Sequence, residues 1–208
     1  MSMSEAQQAW EEHYGERERV WSGRVNARLA EVVEAMTPGR ALDLGCGEGA
    51  DALWLAEHGW RVTAVDISQT ALDRAAADAA ARNILERIEF QRHDLTVSFP
   101  DGVFDLVSAQ FLHSTVPMDR AQLLRRAADA VAPGGTLLVV DHGAAPPWAS
   151  KLNHHHHEFP SAVEVVSSMN LNDSQWDRIR VEAVNRDAVG PEGERAVLSD
   201  NVMVLRRR

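Results

Sequence analysis

Apolar residues recur along the chain in two rhythms, and each change of rhythm marks an element. Val25, Leu29, Val32, Val33 and Met36 fall at helical spacing behind a possible cap at Ser22, and Thr37-Pro38-Gly39 stops them. Ahead of this helix, Trp10 and Tyr14 stand one helical turn apart within Ser4 to Tyr14, which predicts a short helix or flap. From Arg40 the pattern changes to short, continuously apolar runs. Arg40–Leu44, Trp60–Asp66, Phe104–Gln110 and Thr136–Asp141 predict strands of this kind, and the more polar Ile88–Asp94 predicts a further strand. Helical stretches separate them. One runs from Ala50 to His58, and an alanine-rich one starts behind Ser68 and ends near Asn83. A third follows a capping box of Asp119 and Gln122, turns Leu123, Leu124, Ala127 and Val131 inward, and ends at Pro133-Gly134-Gly135. This alternation predicts a parallel sheet covered on both faces, with ligands bound beyond the carboxyl ends of its strands.

Past Asp141 the rhythm loosens. His142 to Pro160 lacks periodicity and reads as a loop or lid, and Ser161 to Met169 as a helix. Trp176–Asn185 and Ala196–Arg206 read as an antiparallel hairpin joined by Val189-Gly190-Pro191-Glu192-Gly193. At 208 residues the chain suits a single domain: helices over 1–39, a core over 40–141, and a lid with late strands over 142–208.

Candidate chemistry gathers where the first strand meets its helix, at Asp43-Leu44-Gly45-Cys46-Gly47-Glu48-Gly49. Glycine lets the strand turn sharply and lets a ligand approach bare backbone, and the following helix aims its positive end at that ligand. Gly45 to Ala50 fits the dinucleotide fingerprint G-x-G-x-x-A, with Asp66 placed to take a ribose hydroxyl, so an NAD-dependent oxidoreductase is one reading. Asp43 argues for another. Its fixed negative charge repels a pyrophosphate, whereas Asp43, Glu48, Asp66 and Asp94 together suit the sulfonium and ammonium groups of S-adenosylmethionine.

Charge and composition narrow the partners. The formal net charge of −10 disfavours nucleic acid or an anionic membrane as principal partner. A lone cysteine, Cys46, excludes an internal disulfide framework, and no apolar stretch approaches transmembrane length. With a polar Met1–Trp10, these features lead us to expect a soluble, cytoplasmic protein acting on a small molecule.

Several ordered motifs resemble the class I S-adenosylmethionine-dependent methyltransferases. Asp43 to Gly49 is similar to the family's first motif, Val65-Asp66-Ile67-Ser68 to its second and His93-Asp94-Leu95 to its third. Phe104-Asp105-Leu106-Val107 and Ala132-Pro133-Gly134-Gly135-Thr136-Leu137 resemble the fourth and fifth. Trp21-Ser22-Gly23, Asp51 to Ala56 and Gly59 to Val62 look most like the branch with thiopurine and tellurite-resistance methyltransferases. The resemblance implies an α/β, Rossmann-like doubly wound fold, a mostly parallel seven-stranded sheet whose antiparallel last strand is Ala196–Arg206. It also implies that the backbone of Gly45, Cys46, Gly47 and Glu48 borders the methionine part of the cofactor, with Asp43 near its ammonium. Asp66 would take both ribose hydroxyls, Ile67 would lie beside the adenine, and Asp94 and Leu95 would meet the adenine edge. Gln110 and Phe111 would lie by the methionyl arm, and Trp21 would cover the cofactor.

The implied reaction is in-line methyl transfer to an oxygen, nitrogen, sulfur or chalcogen nucleophile, releasing S-adenosylhomocysteine. A non-catalytic module that binds the same cofactor is the rival reading. The acidic metal ligands of the catechol-type enzymes are not recognisable, and no metal is expected. His113, just past the fourth strand, is the candidate catalytic residue, as general base or as a loop histidine that shapes the pocket. His154-His155-His156-His157 reads as a solvated loop or as a metal or acceptor contact. Trp10, Tyr14, Trp21 and Trp148 form either an aromatic wall over the acceptor or ordinary packing.

Overall fold

The computed structural model describes residues 3–114, 116–148, 159–190 and 193–208. Among the described residues the strands are β1 (Arg40–Leu44), β2 (Arg61–Asp66), β3 (Ile88–Arg92), β4 (Phe104–Gln110), β5 (Val131–His142), β6 (Trp176–Val189) and β7 (Arg195–Arg207). The helices are α1 (Glu5–Gly15), α2 (Ala27–Val33), α3 (Ala50–Glu57), α4 (Gln69–Ala81), α5 (Arg120–Asp129) and α6 (Ala162–Ser168). The strands join in one seven-stranded sheet, ordered β3-β2-β1-β4-β5-β7-β6. β1 to β5 pair in parallel, and β7 lies antiparallel between β5 and β6. Strand order reverses between β1 and β4. The connections on either side of that point cross opposite faces and leave a crevice above the carboxyl ends of these two strands.

The apolar runs are explained by burial on both faces. Ala41, Leu106, Leu138, Val140 and Val202 pack toward Leu29 of α2 and Leu53 and Leu55 of α3. Their neighbours Leu42, Val107, Leu137, Val139 and Met203 pack toward Leu123 and Leu124 of α5 and Val165 and Val166 of α6. A strand enclosed in this way has no polar face, so its sequence is uniformly apolar rather than alternating.

Local chemistry moved several predicted boundaries. α2 is capped by Asn26, whose side chain accepts from the Arg28 amide, while Ser22 accepts from Arg24 ahead of the helix. Pro133-Gly134-Gly135 does not end α5, which stops at Asp129. It lies inside β5, where the register against β4 jumps from Phe104↔Val131 to Leu106↔Thr136. Proline has no amide hydrogen for the ladder and Gly134 has φ +80°, so the strand bulges instead of ending. Asp119 does cap α5 through the Gln122 amide. Ser161 and Glu164 form a full capping box on α6. Asn83, at φ +57°, follows α4 as expected. His142 belongs to β5, and β6 runs on to Val189, beyond the expected Asn185. The His154–His157 run lies outside the described residues. No helix among the described residues is long and apolar enough to cross a membrane.

Gly49 caps α3 at φ +81°, and a Cβ there would stand 2.7 Å from the Cβ of Ala75 on α4. Gly49→Ala is therefore expected to destabilise the fold by about 2–4 kcal/mol, from left-handed backbone strain plus overpacking. Chemical denaturation followed by circular dichroism measures this, and an unchanged midpoint would show that α3 and α4 can move apart freely.

Candidate functional site

The crevice at the reversal of strand order deepens into a cavity of about 800 Å³. Every site residue expected from the sequence lies on its wall: Trp21, Asp43, Gly45, Cys46, Gly47, Glu48, Asp66, Ile67, Asp94, Leu95, Gln110, Phe111 and His113. The glycine turn is tied to β2, because the amides of Gly45 and Cys46 both donate to the Val65 carbonyl, at 2.8 and 2.9 Å. Gly47 has φ +53°, and a Cβ there would come within 2.9 Å of the Tyr14 hydroxyl. Asp66 at the end of β2 is 7% exposed and joins two pieces of backbone. One oxygen accepts from Gly47 N at 2.8 Å, and the other from Ser68 N at 2.9 Å, just before α4. It therefore fixes the turn and the start of α4 while lining the cavity.

The N-terminal segment closes over this floor. Ser4 Oγ, which caps α1, also donates to Asp94 at 3.0 Å. Glu11 accepts from Ser68 Oγ, Gln69 N and Thr70 N, placing its charge at the positive end of α4. Trp21 Nε1 donates to the buried Tyr14 hydroxyl at 3.0 Å. Glu48 accepts from the amides of Val20 and Trp21 and pairs with Arg74 at 2.9 Å. Its charge is thus matched within the fold and holds the segment down. Trp10, Tyr14 and Trp21 line the cavity, whereas Trp148 packs near Gly190 at the hairpin.

Asp43 and Gln110 each retain a buried oxygen, Oδ2 and Oε1, with no hydrogen-bond partner, and so does Asp200 through Oδ1. Unpaired buried acceptors are costly, so a ligand rich in donors or positive charge fits these walls. Burial, and then the charges of Asp51 and Asp66, push the Asp43 carboxyl well above the ordinary range. Burial likewise raises Asp66 and lifts Asp51 to about 6. The Cys46 thiol is pushed up by burial too, which favours its neutral form. Among the described residues no group of histidine, cysteine and acidic side chains is placed to hold a metal.

Part of the wall escaped the sequence reading. Beside the expected Phe111, which at φ +50° stacks on His142 with centroids 4.4 Å apart, Arg186 Nε donates to Asp200 at 2.6 Å. His142, Arg186 and Asp200 all line the cavity. Only the pairing of β5 with β7 returns the hairpin to the site, and a single sequence does not reveal that pairing. The available signal was Asp141-His142 at the carboxyl end of a strand. Asp141 itself is paired with Arg120.

Residues 41–135 match the family described as "Methyltransferase domain". The chain is 35% identical over 121 residues to 27-O-demethylrifamycin SV methyltransferase of Amycolatopsis mediterranei, covering 57% of this chain and 44% of that protein. It is 33% identical over 133 residues to 2-heptyl-1-hydroxyquinolin-4(1H)-one methyltransferase of Mycobacteroides abscessus, covering 61% and 58%. The chain thus spans about half the length of these relatives. Among solved structures, one described as "Conversion of a Disulfide Bond into a Thioacetal Group during Echinomycin Biosynthesis" superposes with TM-score 0.76 at 25% identity, covering 97% of this chain and 92% of the other. TehB from Haemophilus influenzae superposes with TM-score 0.71 at 16% identity, covering 95% and 67%, a likeness of fold.

The crowded carboxyls give the ligand-free protein a pH signature. A carboxyl raised on folding favours the native state below its unfolded value, and that contribution is lost as pH rises through its folded value. For Asp51 the window runs from 3.8 to about 6. Asp51→Asn keeps an acceptor for the Asn26 amide, and it should gain stability relative to wild type as pH rises through this window. Thermal midpoints at pH 4 to 7 test it, and parallel curves would rule out a strained Asp51 carboxylate.

Proposed function

On the premise that residues 41–135 form a class I S-adenosylmethionine-dependent methyltransferase domain, we propose that this chain transfers a methyl group to a small-molecule nucleophile by in-line displacement. The observation that carries this reading is Asp43: a buried carboxylate oxygen without a partner, beside a glycine turn, where a pyrophosphate would be repelled and a cation attracted. The cofactor supplies a methyl carbon made electrophilic by its sulfonium. Asp43 and Gln110 offer acceptor oxygens to its ammonium end, and Asp66 offers its remaining lone pairs to the ribose hydroxyls. Ile67 and Leu95 give apolar surface to the adenine, with Asp94 at its edge. The backbone of Gly45 to Glu48 borders the methionyl arm, with Phe111 alongside. Trp10, Tyr14 and Trp21 exclude water from above, which strengthens every electrostatic contact inside.

A small acceptor fits a cavity of about 800 Å³ and the chain's net charge, and the two relatives named above are named for small molecules. Incubation with S-adenosylmethionine and a panel of phenols, alcohols, amines, thiols and oxyanions, read out as S-adenosylhomocysteine formed, tests the assignment. Tight cofactor binding with no product across the panel would favour a non-catalytic binding module, and saturable binding of NADH alone would favour an oxidoreductase.

Asp43→Asn removes the charge while keeping the shape. It should weaken S-adenosylhomocysteine binding about 10- to 100-fold, the scale of a charge-assisted hydrogen bond, without lowering the thermal midpoint of the free protein. Calorimetry showing unchanged affinity would place the ammonium elsewhere.

A further inference from the structure

Phe111, His142, Arg186 and Asp200 line the cavity but include no residue of the glycine turn or the β2 rim. β5 ends at His142, and β7 sets Asp200 directly across from it in register. Residues so paired project from the same face of the sheet, with Cβ atoms about 5 Å apart. Asp200 is 2% exposed. Arg186 occupies its Oδ2, while Oδ1 is buried without a partner. Phe111 lies stacked on the imidazole at an interplanar angle of 26°, and the His113 ring is parallel to it within 11° at 5.8 Å. His142 is therefore half-buried, held by aromatic stacking and flanked by a carboxylate. His113, by contrast, is exposed on the loop after β4.

We propose that His142 is the catalytic proton acceptor for a protic methyl acceptor, a hydroxyl or an amine, with Asp200 as its positioning residue. The proposal rests on the methyl-transfer reading and narrows its acceptor class. As the acceptor oxygen or nitrogen forms its bond to the methyl carbon, the sulfur–carbon bond breaks and its electron pair stays on sulfur, leaving a neutral thioether. The acceptor's proton passes to a ring nitrogen of His142, and the imidazolium so formed faces the Asp200 carboxylate. An already ionised thiolate or oxyanion has no proton to lose and does not need this arrangement.

Burial lowers the His142 pKa and Arg186 lowers it further, against Asp200 and Asp141, which raise it. Among the described residues, His113 on the loop after β4, Arg186 and Asp200 stand around the ring, and Asp141 acts on it from the preceding strand position. The net lowering favours the neutral ring, the form able to receive a proton.

The test compares wild type with His142→Gln and Asp200→Asn. In His142→Gln, calorimetric affinity for S-adenosylhomocysteine should stay within about threefold, which reports an intact fold and cofactor site. Turnover of the best hydroxyl or amine acceptor of the panel should fall at least about 100-fold in kcat with little change in KM, and the rate should lose its histidine inflection with pH. In NMR titrations of the wild-type protein with S-adenosylhomocysteine, the His142 ring should titrate below the ordinary 6.5, and lower still in Asp200→Asn. Turnover that survives His142→Gln, a panel in which only thiols or oxyanions react, or a ring protonated at pH 7 would each overturn the proposal alone. Binding without turnover of any acceptor would remove the methyl-transfer reading, and this proposal with it.

Discussion

Asp66 holds the amides of Gly47 and Ser68 with its two oxygens, and the floor of the cavity depends on that bridge. It joins the glycine turn, already tied to β2 through the Val65 carbonyl, to the start of α4. Together they form one rigid corner at the reversal of strand order, where topology already leaves a crevice. The rest is assembled against this corner. α1 reaches it through Glu11 on the first amides of α4, and the chain after α1 reaches it through Glu48, which is secured in turn by Arg74. The cover over the cavity is thus held by the same side of the sheet that forms its floor.

The arrangement concentrates negative charge where water is scarce. Asp43, Asp51 and Asp66 are all raised by burial, and the charges of Asp51 and Asp66 both raise Asp43. Glu48, by contrast, is paired with the Arg74 guanidinium at 2.9 Å. The distinction separates two kinds of carboxylate at one rim, those neutralised within the fold and those left for something else. A site that keeps unbalanced charge trades stability of the ligand-free state for affinity, as binding sites commonly do.

The core strands and the acidic rim could be read from the chain because both are local: an apolar run, a glycine turn and a carboxylate two residues before it. All the cofactor candidates, from Trp21 to Phe111, came to one cavity for that reason. The misreadings fell where local signals were ambiguous. Pro133-Gly134-Gly135 is as good a stop as a bulge until β4 is seen beside it, and Ser22 and Asn26 are both competent caps. His142, Arg186 and Asp200 were missed for a different reason. Their meeting depends on the long-range pairing of β5 with β7 and on the length of β6, and neither leaves a mark in the residues themselves.

The antiparallel insertion of β7 between β5 and β6 means that the two sides of the cavity come from separate stretches of chain. The side with the glycine turn is built from strands near the middle of the sheet, and the side with Asp200 and Arg186 from a hairpin at its margin. Substitutions in the hairpin can therefore reshape one wall of the cavity while the corner at the glycine turn stays fixed. Such a division lets one wall change shape without disturbing the hydrogen bonds that hold the other.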